Sequence, residues 1–264
     1  MITLKTEDEI ELLRQANLLV GRTLGEIAKV IAPGVTTKQL DKLAEEYIRD
    51  NGAEPTFKGF PNPYGAPFPA SICTSVNDTV VHGIPNDEPL KEGDIVSVDC
   101  GTLLNGFNGD SCYTFCVGEV ADDVRQLLRT TKESLYLAID QAIVGHRLGD
   151  VSAAVQDHCE KHGYGIVREF VGHGIGKEMH EDPMVPNYGR RGNGIMLKNG
   201  LCIAIEPMIT MGSQEVYMDA DRWTIKTKDG KPAAHYEHTI AIHHGKAEIM
   251  SSFEEVEKIV SQQI

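Results

Sequence analysis

The chain has 264 residues, room for one large domain or two small ones, and at that length about three quarters of the surface exposed by an unfolded chain can be buried. Its 25 Lys and Arg stand against 39 Asp and Glu, a formal charge of -14 that repels polyanions and leaves no basic stripe for nucleic acid. The start, "MITLKTEDEIELLRQ", is acidic rather than basic then apolar, and no run reaches the roughly eighteen apolar residues of a membrane span, so a cytoplasmic protein without membrane or nucleic-acid partner is expected. Six cysteines (Cys73, Cys100, Cys112, Cys116, Cys159, Cys202) lie far apart without a CxxC pair and read as reduced, buried thiols.

In chain order, Thr6 with Glu9 three residues on opens a first helix, whose apolar positions Ile10, Leu13, Val20, Leu24, Ile27 and Ile31 recur near helical spacing until "APG" at Ala32 to Gly34 stops it. A second helix follows in "TTKQLDKLAEEYIRDNG", capped by Thr36 or Thr37, with Leu40, Leu43, Tyr47 and Ile48 on one face and Gly52 at its end. "FKGFPNPYGAPFPAS" reads as a long loop. "SICTSVNDTVV" is a strand-like run leading to His82, which precedes the turn residues Gly83 and Pro85 as loop-borne catalytic residues often do. In "DIVSVDCGT" an alternating strand presents Asp99 at its end, and in "GFNGDSCYTFCV" Asp110, Cys112 and Thr114 share a face. Pairing of these strands would aim Asp99 and Asp110 at one spot.

One half of the chain then recurs. "GVTTKQLDKLAEEYIRDNG" (Gly34 to Gly52) matches "GHRLGDVSAAVQDHCEKHG" (Gly145 to Gly163) in length and apolar positions, and the helical pattern "RQLLRTTKESLYLAIDQAI" precedes the second copy. "LKEGDIVSVD", ending at Asp99, matches "LKNGLCIAIE", ending at Glu206; strand-like runs "GDSCYTFCV" and "YEHTIAI" follow them. Short apolar patterns match singly by chance, so the shared order carries the inference: residues 1–264 form one catalytic domain duplicated internally over about 6–118 and 119–250, its halves related by an approximate two-fold axis.

Glu206 and Glu237 are the second-half counterparts of Asp99 and Asp110. A lone acid at a strand end ordinarily faces water, but four acids at like positions of symmetric halves would meet near the axis. There repulsion and desolvation would raise their pKa values unless a cation neutralised them. "VGHGIGKEMHEDP" supplies an imidazole, His173, and the mixed O/N set suits Mn, Fe or Co better than the sulfur-rich or three-histidine sets usual for zinc. Gly172, Gly174 and Gly176 are expected to allow unusual dihedrals and close approach. His180 is then a second imidazole near the metal, free for substrate. His146, His158, His162, His243 and His244 keep the ordinary reading of surface or satisfied core residues.

With Asp99, Asp110, His173, Glu206 and Glu237 in that order, and with "HGIP", "NGFNGD", "GHGIG", "IEPM" and "YEHT", the chain from about Thr6 to about Ile249 resembles the short bacterial methionine aminopeptidases of the pita-bread metalloprotease family. The resemblance implies an α+β pita-bread fold, two pseudo-symmetric halves with a central antiparallel sheet covered by helices. It implies two divalent ions (Co, Fe or Mn), bridged by Asp110 and Glu237, with Asp99 completing one and His173 and Glu206 the other, and a further monovalent cation near the backbone oxygens of Asn77 and Thr79. The implied reaction is removal of initiator methionine from nascent proteins with a small second residue, by attack of a hydroxide bridging the metals. Glu206 would accept the proton, His180 polarise the substrate carbonyl, and His82 contact the scissile amide and assist the leaving amine. Cys73, Met179, Trp223 and an aromatic from "GFPNPYGAPF", Phe60 or Phe68, match the methionine pocket. Nascent N-termini are the implied partner, transient docking near the ribosome is compatible with it, and a monomer is expected. Xaa-Pro aminopeptidases and prolidases use the same five ligands but usually add an N-terminal domain, whereas only residues 1–31 precede the first "APG" here. Non-catalytic members of the fold have lost ligand residues that this chain retains.

Overall fold

The computed structural model describes residues 1–260. Helix α1 (Glu7–Ala28) begins at the expected cap: the Glu9 amide donates to Thr6 Oγ1 at 3.3 Å and the Thr6 amide to Glu9 Oε2 at 3.0 Å. It ends earlier than "APG" suggests, because its last turn tightens, with Lys29 N–H bonding Glu26 O and Val30 N–H bonding Ile27 O. Helix α2 (Thr37–Asp50) is capped by Thr36, and Gly52 turns the chain at φ +76°. Strands β1 (Glu54–Pro55), β2 (Ile72–Val76), β3 (Thr79–Val81), β4 (Ile95–Leu104) and β5 (Phe107–Cys116) follow, then helices α3 (Asp122–Ile139) and α4 (Leu148–Lys161). The remainder is β6 (Gly165–Ile166), β7 (Gly172–Gly174), β8 (Glu181–Val185), β9 (Cys202–Ile205), β10 (Met208–Thr210), β11 (Val216–Met218), β12 (Ile225–Thr227), β13 (Ala233–His235), β14 (His238–Ala241), β15 (Glu248–Ile249) and helix α5 (Glu254–Val260). No described helix is long and apolar enough to cross a membrane.

Among the described residues the strand pairs are antiparallel and fall into four hydrogen-bonded sheets. β4 sits between β2 and β5, with β1 along its far end; β15, β14, β9, β7 and β8 form the largest sheet. "SICTSVNDTVV" is not one strand. Asn77, at φ +51°, breaks it into β2 and β3, which belong to different sheets. Nor does Asp99 end its strand: β4 runs five residues further to a tight turn at Asn105 and Gly106 (φ +53° and +80°), the conformation that joins twisted strands in a two-residue hairpin. The order helix, helix, antiparallel strands recurs in the second half, where β10 to β13 intervene between β9 and β14.

α1 lies across β4 and β5 and buries Ile10, Leu13, Leu19, Leu24 and Ile27 completely, each contributing about 1.5–3 kcal/mol of apolar burial. Contact is close enough that a Cβ on Gly109 would stand 2.6 Å from the carbonyl carbon of Ala16, so glycine lets the helix seat directly on the strand. That seat backs β5 on the face opposite the one that carries Asp110.

Candidate active site

The β4–β5 register sets the first two acids. Asp99 is opposite Cys112 and Gly101 opposite Asp110, so the two carboxylates lie diagonally on one face with only a glycine across from Asp110. Glu206 directly follows β9 and Glu237 directly precedes β14, and these strands pair out to Ile205 opposite His238, which sets the second two acids side by side. His173 is the middle residue of β7, which pairs with both β8 and β9. All five side chains line one cavity of about 200 Å³ together with His82 and His180. Ligand atoms of Asp110, His173 and Glu237 lie within 4.8 Å of one another.

His173 Nδ1 is 2.9 Å from the Gly174 carbonyl, which only accepts, so Nδ1 carries the hydrogen and the other ring nitrogen faces the acids. That Nε2 is 3.5 Å from Asp110 Oδ2 and 3.7 Å from Glu206 Oε1. The glycines around His173 serve close approach rather than unusual dihedrals: none of Gly172, Gly174 and Gly176 has a positive φ. A Cβ on Gly172 would meet Ala204 O at 2.3 Å, and one on Gly174 would meet Asp182 O at 2.2 Å. β7 is thus clamped between two strands too near for any side chain but its one histidine.

Burial raises the Asp99 carboxyl well above its ordinary value, and the charges of Asp110 and Glu206 raise it further. Glu237 is raised in the same way, first by burial and then by Asp110, Glu206 and Asp99. Burial also raises Asp110, although His173 opposes it. Among the described residues, Asp99 Oδ1, Asp110 Oδ1 and Glu237 Oε1 are buried without a hydrogen-bond partner, as is His235 Nε2. Unpaired carboxylate oxygens crowded around an imidazole lone pair are what divalent cations coordinate, so the residues fit a metal. The sign of the linkage follows. Without metal the folded chain retains protons on Asp99 and Glu237 that an unfolded chain releases, so this contribution to stability is lost as pH rises above the ordinary carboxylate range. Metal must displace those protons, and affinity is expected to rise with pH. Calorimetric titration in buffers of differing ionisation enthalpy should show proton release; identical heats in every buffer would contradict the buried protonated pair.

Burial pulls the pKa of His82 and of His180 down to about 4, so both are neutral near pH 7. His180 lies edge-on to His173 (centroids 4.4 Å apart) and to Phe60 (5.3 Å). His82 follows β3 at φ +58°, a strained position for a non-glycine residue, with Phe170 and Trp223 edge-on at 5.5 and 6.2 Å. Cys73, Phe60, Phe68 and Trp223 line the cavity; Trp223 is fixed by its indole N–H donating to Ala66 O at 2.9 Å and by Phe68 at 5.1 Å. Met179 does not line it. Its Cε comes within 3.0 Å of where a Cβ on Gly101 would stand, and it packs against Phe57 and Phe60, which do line the cavity. Asn77, expected near a monovalent cation, has its carbonyl accepting the Ala233 amide at 2.9 Å.

Sequence reasoning missed Phe57, Phe170 and Met208 in the lining, and His235, whose Nε2 is 3.5 Å from Glu206 Oε2. A signal for His235 existed: in "AHYEHT" it stands two residues before Glu237, on the same side of an extended chain. Asn17 was also missed. Fully buried in α1, it accepts the Asp110 amide at 3.1 Å on Oδ1, and a polar residue on an otherwise apolar helix face was its only trace.

The sequence profile of metallopeptidase family M24 matches residues 11–244. The methionine aminopeptidase of Clostridium acetobutylicum is 51% identical over 252 residues, covering 95% of this chain and 99% of the relative. The crystal structure of methionine aminopeptidase from Rickettsia prowazekii superposes with a TM-score of 0.92 at 40% identity, covering 96% of this chain and 100% of that one. That from Thermotoga maritima gives a TM-score of 0.91 at 43% identity with the same coverage. The architecture, mixed helix and antiparallel sheet, is the pita-bread fold.

Proposed function

The chain belongs to metallopeptidase family M24, and from that membership we propose that it is a metal-dependent aminopeptidase that removes N-terminal methionine. The observation that carries the reading is the cluster of buried, unpartnered carboxylate oxygens on the floor of an aromatic and sulfur-lined cavity. Asp99, Asp110, His173, Glu206 and Glu237 would hold two divalent ions; Mn, Fe or Co suits the donor set. Bound there, the ions supply Lewis acidity, which acidifies water and polarises a carbonyl.

The chain's own groups do the rest. Cys73, kept a neutral thiol by burial, and the rings of Phe60, Phe68 and Trp223 form a wall that suits a flexible thioether. The cavity's size favours a single side chain over a larger ligand. Neutral His180 offers an N–H to the substrate carbonyl, Glu206 accepts the proton of the attacking water and returns it to the leaving amine, and neutral His82 contacts the scissile amide and assists that departure by hydrogen bonding. A small second residue, nascent N-termini as substrate, a cytoplasmic setting with transient docking near the ribosome, a monomeric state, and a monovalent cation near Asn77 and Thr79 complete the proposal.

Trp223→Ala opens the pocket, and kcat/KM for Met-Ala-Ser is expected to fall on the order of tenfold or more, chiefly through KM. An unchanged KM would remove Trp223 from the pocket. The substrate class is tested by assaying Met-Ala-Ser, Met-Pro-Ser and Ala-Pro-Ser after separate reconstitution with Mn, Fe and Co. Methionine release from Met-Ala-Ser with no cleavage of Ala-Pro-Ser supports the proposal. Cleavage confined to Xaa-Pro bonds would assign proline specificity, and silence with every metal would favour a binding module.

A further inference from the structure

Asp110 and Glu237 come from different sheets: Asp110 from β5, which pairs with β4, and Glu237 from the lead-in to β14, which pairs with β9 and β15. Their separation is therefore set by whatever joins the two sheets at that point. Asp110's backbone amide goes to Asn17 Oδ1 of α1 at 3.1 Å, and its carbonyl accepts a hydrogen bond from Thr239 Oγ1 at 2.8 Å. Reciprocally, the Glu237 carbonyl accepts from Ser111 Oγ at 2.6 Å, and the Glu237 amide donates to Cys112 O at 3.0 Å. The residue after one acid thus grips the carbonyl of the other, and the residue two beyond the second grips the carbonyl of the first. Ser111 and Thr239 are both 0% exposed, so neither hydroxyl has water as an alternative partner. A buried hydroxyl whose partner is lost costs about 1–3 kcal/mol, which favours keeping both bonds made and the seam at one width.

We propose that Ser111 and Thr239 are positioning residues that form a reciprocal clasp across the seam, fixing the Asp110–Glu237 separation and with it the affinity and size preference of the metal centre. The inference rests on the metal-centre reading above. Neither hydroxyl touches substrate; each acts through the backbone of the acid it holds, as outer partners of metal ligands do.

The test uses metal-free full-length protein, titrated calorimetrically with Mn²⁺ and separately with the smaller Co²⁺, well below each variant's unfolding midpoint. Thr239→Val, which keeps shape and removes the donor, and Ser111→Ala are each expected to lose about tenfold to a hundredfold in affinity, the usual cost of losing such a partner. Co²⁺ should lose more than Mn²⁺ as the seam loosens, and Thr239→Ser, which keeps the donor, should stay close to the parent protein. A merely structural role would lower the unfolding midpoint and leave both affinities and their ratio unchanged; that result overturns the clasp. If Thr239→Val does not fold, Ser111→Cys carries the same test, with similar size and a far weaker donor. Failure of the parent protein itself to bind either ion would overturn the metal centre rather than the clasp alone.

Discussion

Asp110→Ala is expected to abolish methionine release and strip the protein of metal while leaving it folded. Asp110 sits in mid-strand, and its backbone bonds to Asn17 and Thr239 do not involve its carboxylate, so alanine keeps them. What is lost is the carboxylate that lies against His173, with ligand atoms in reach of Glu237 as well. The fall in turnover should exceed the roughly hundred- to thousandfold that removal of one oxyanion-type hydrogen-bond donor costs, because in the proposed centre Asp110 would serve both ions. Metal-free stability should move the other way. Asp99 and Glu237 are raised in part by the charge of Asp110, so deleting it relieves repulsion and the apo variant should be as stable as the apo parent or more so. Added metal should then give little thermal stabilisation, where the parent gains through mass action. Elemental analysis and thermal unfolding with and without Mn²⁺ check both halves; undiminished turnover or a full metal complement would remove Asp110 from the centre.

Glu206→Gln is expected to lower kcat by about a hundredfold to ten-thousandfold, the range that general acid–base catalysis contributes, with a much smaller change in KM. The substitution keeps size and one oxygen donor but removes charge and basicity. Glu206 is held in place: its carbonyl accepts from Asn187 Nδ2 at 2.9 Å, and its two carboxylate oxygens face His173 at 3.7 Å and His235 at 3.5 Å. Steady-state kinetics on Met-Ala-Ser at constant metal loading makes the measurement. A kcat within a few-fold of the parent would assign the proton to another group, with His235 the next candidate by position.

What the sequence made legible was chiefly local. The caps of α1 and α2 could be read because Thr6 with Glu9 and Thr36 with Gln39 bond within one turn, whatever the rest of the chain does. Asp99 and Asp110 could be assigned to one face because period-2 alternation survives in β4 and β5, and the repeat then pointed to Glu206 and Glu237. The end of β4 was misjudged because Gly101 and Thr102 look like a turn; hairpin pairing with β5 carries the strand through them. Met179 was assigned to the pocket by the family resemblance, yet it packs in a buried cluster with Ile10, Leu13 and Ile175, and Phe57 from a distant loop lines the wall. Asn17 and the Ser111–Thr239 clasp were invisible for a related reason. Each is a buried polar residue in an apolar run, and only the tertiary fold shows which backbone group it satisfies.

The most direct measurement is methionine release from Met-Ala-Ser by protein stripped with a chelator and dialysed, then titrated with Mn²⁺ or Co²⁺ under anaerobic conditions. The predicted result is no release from stripped protein, recovery as metal is added, and no recovery in Asp110→Ala. Full turnover by stripped protein, indifferent to added metal, would contradict a metal centre built from Asp99, Asp110, His173, Glu206 and Glu237.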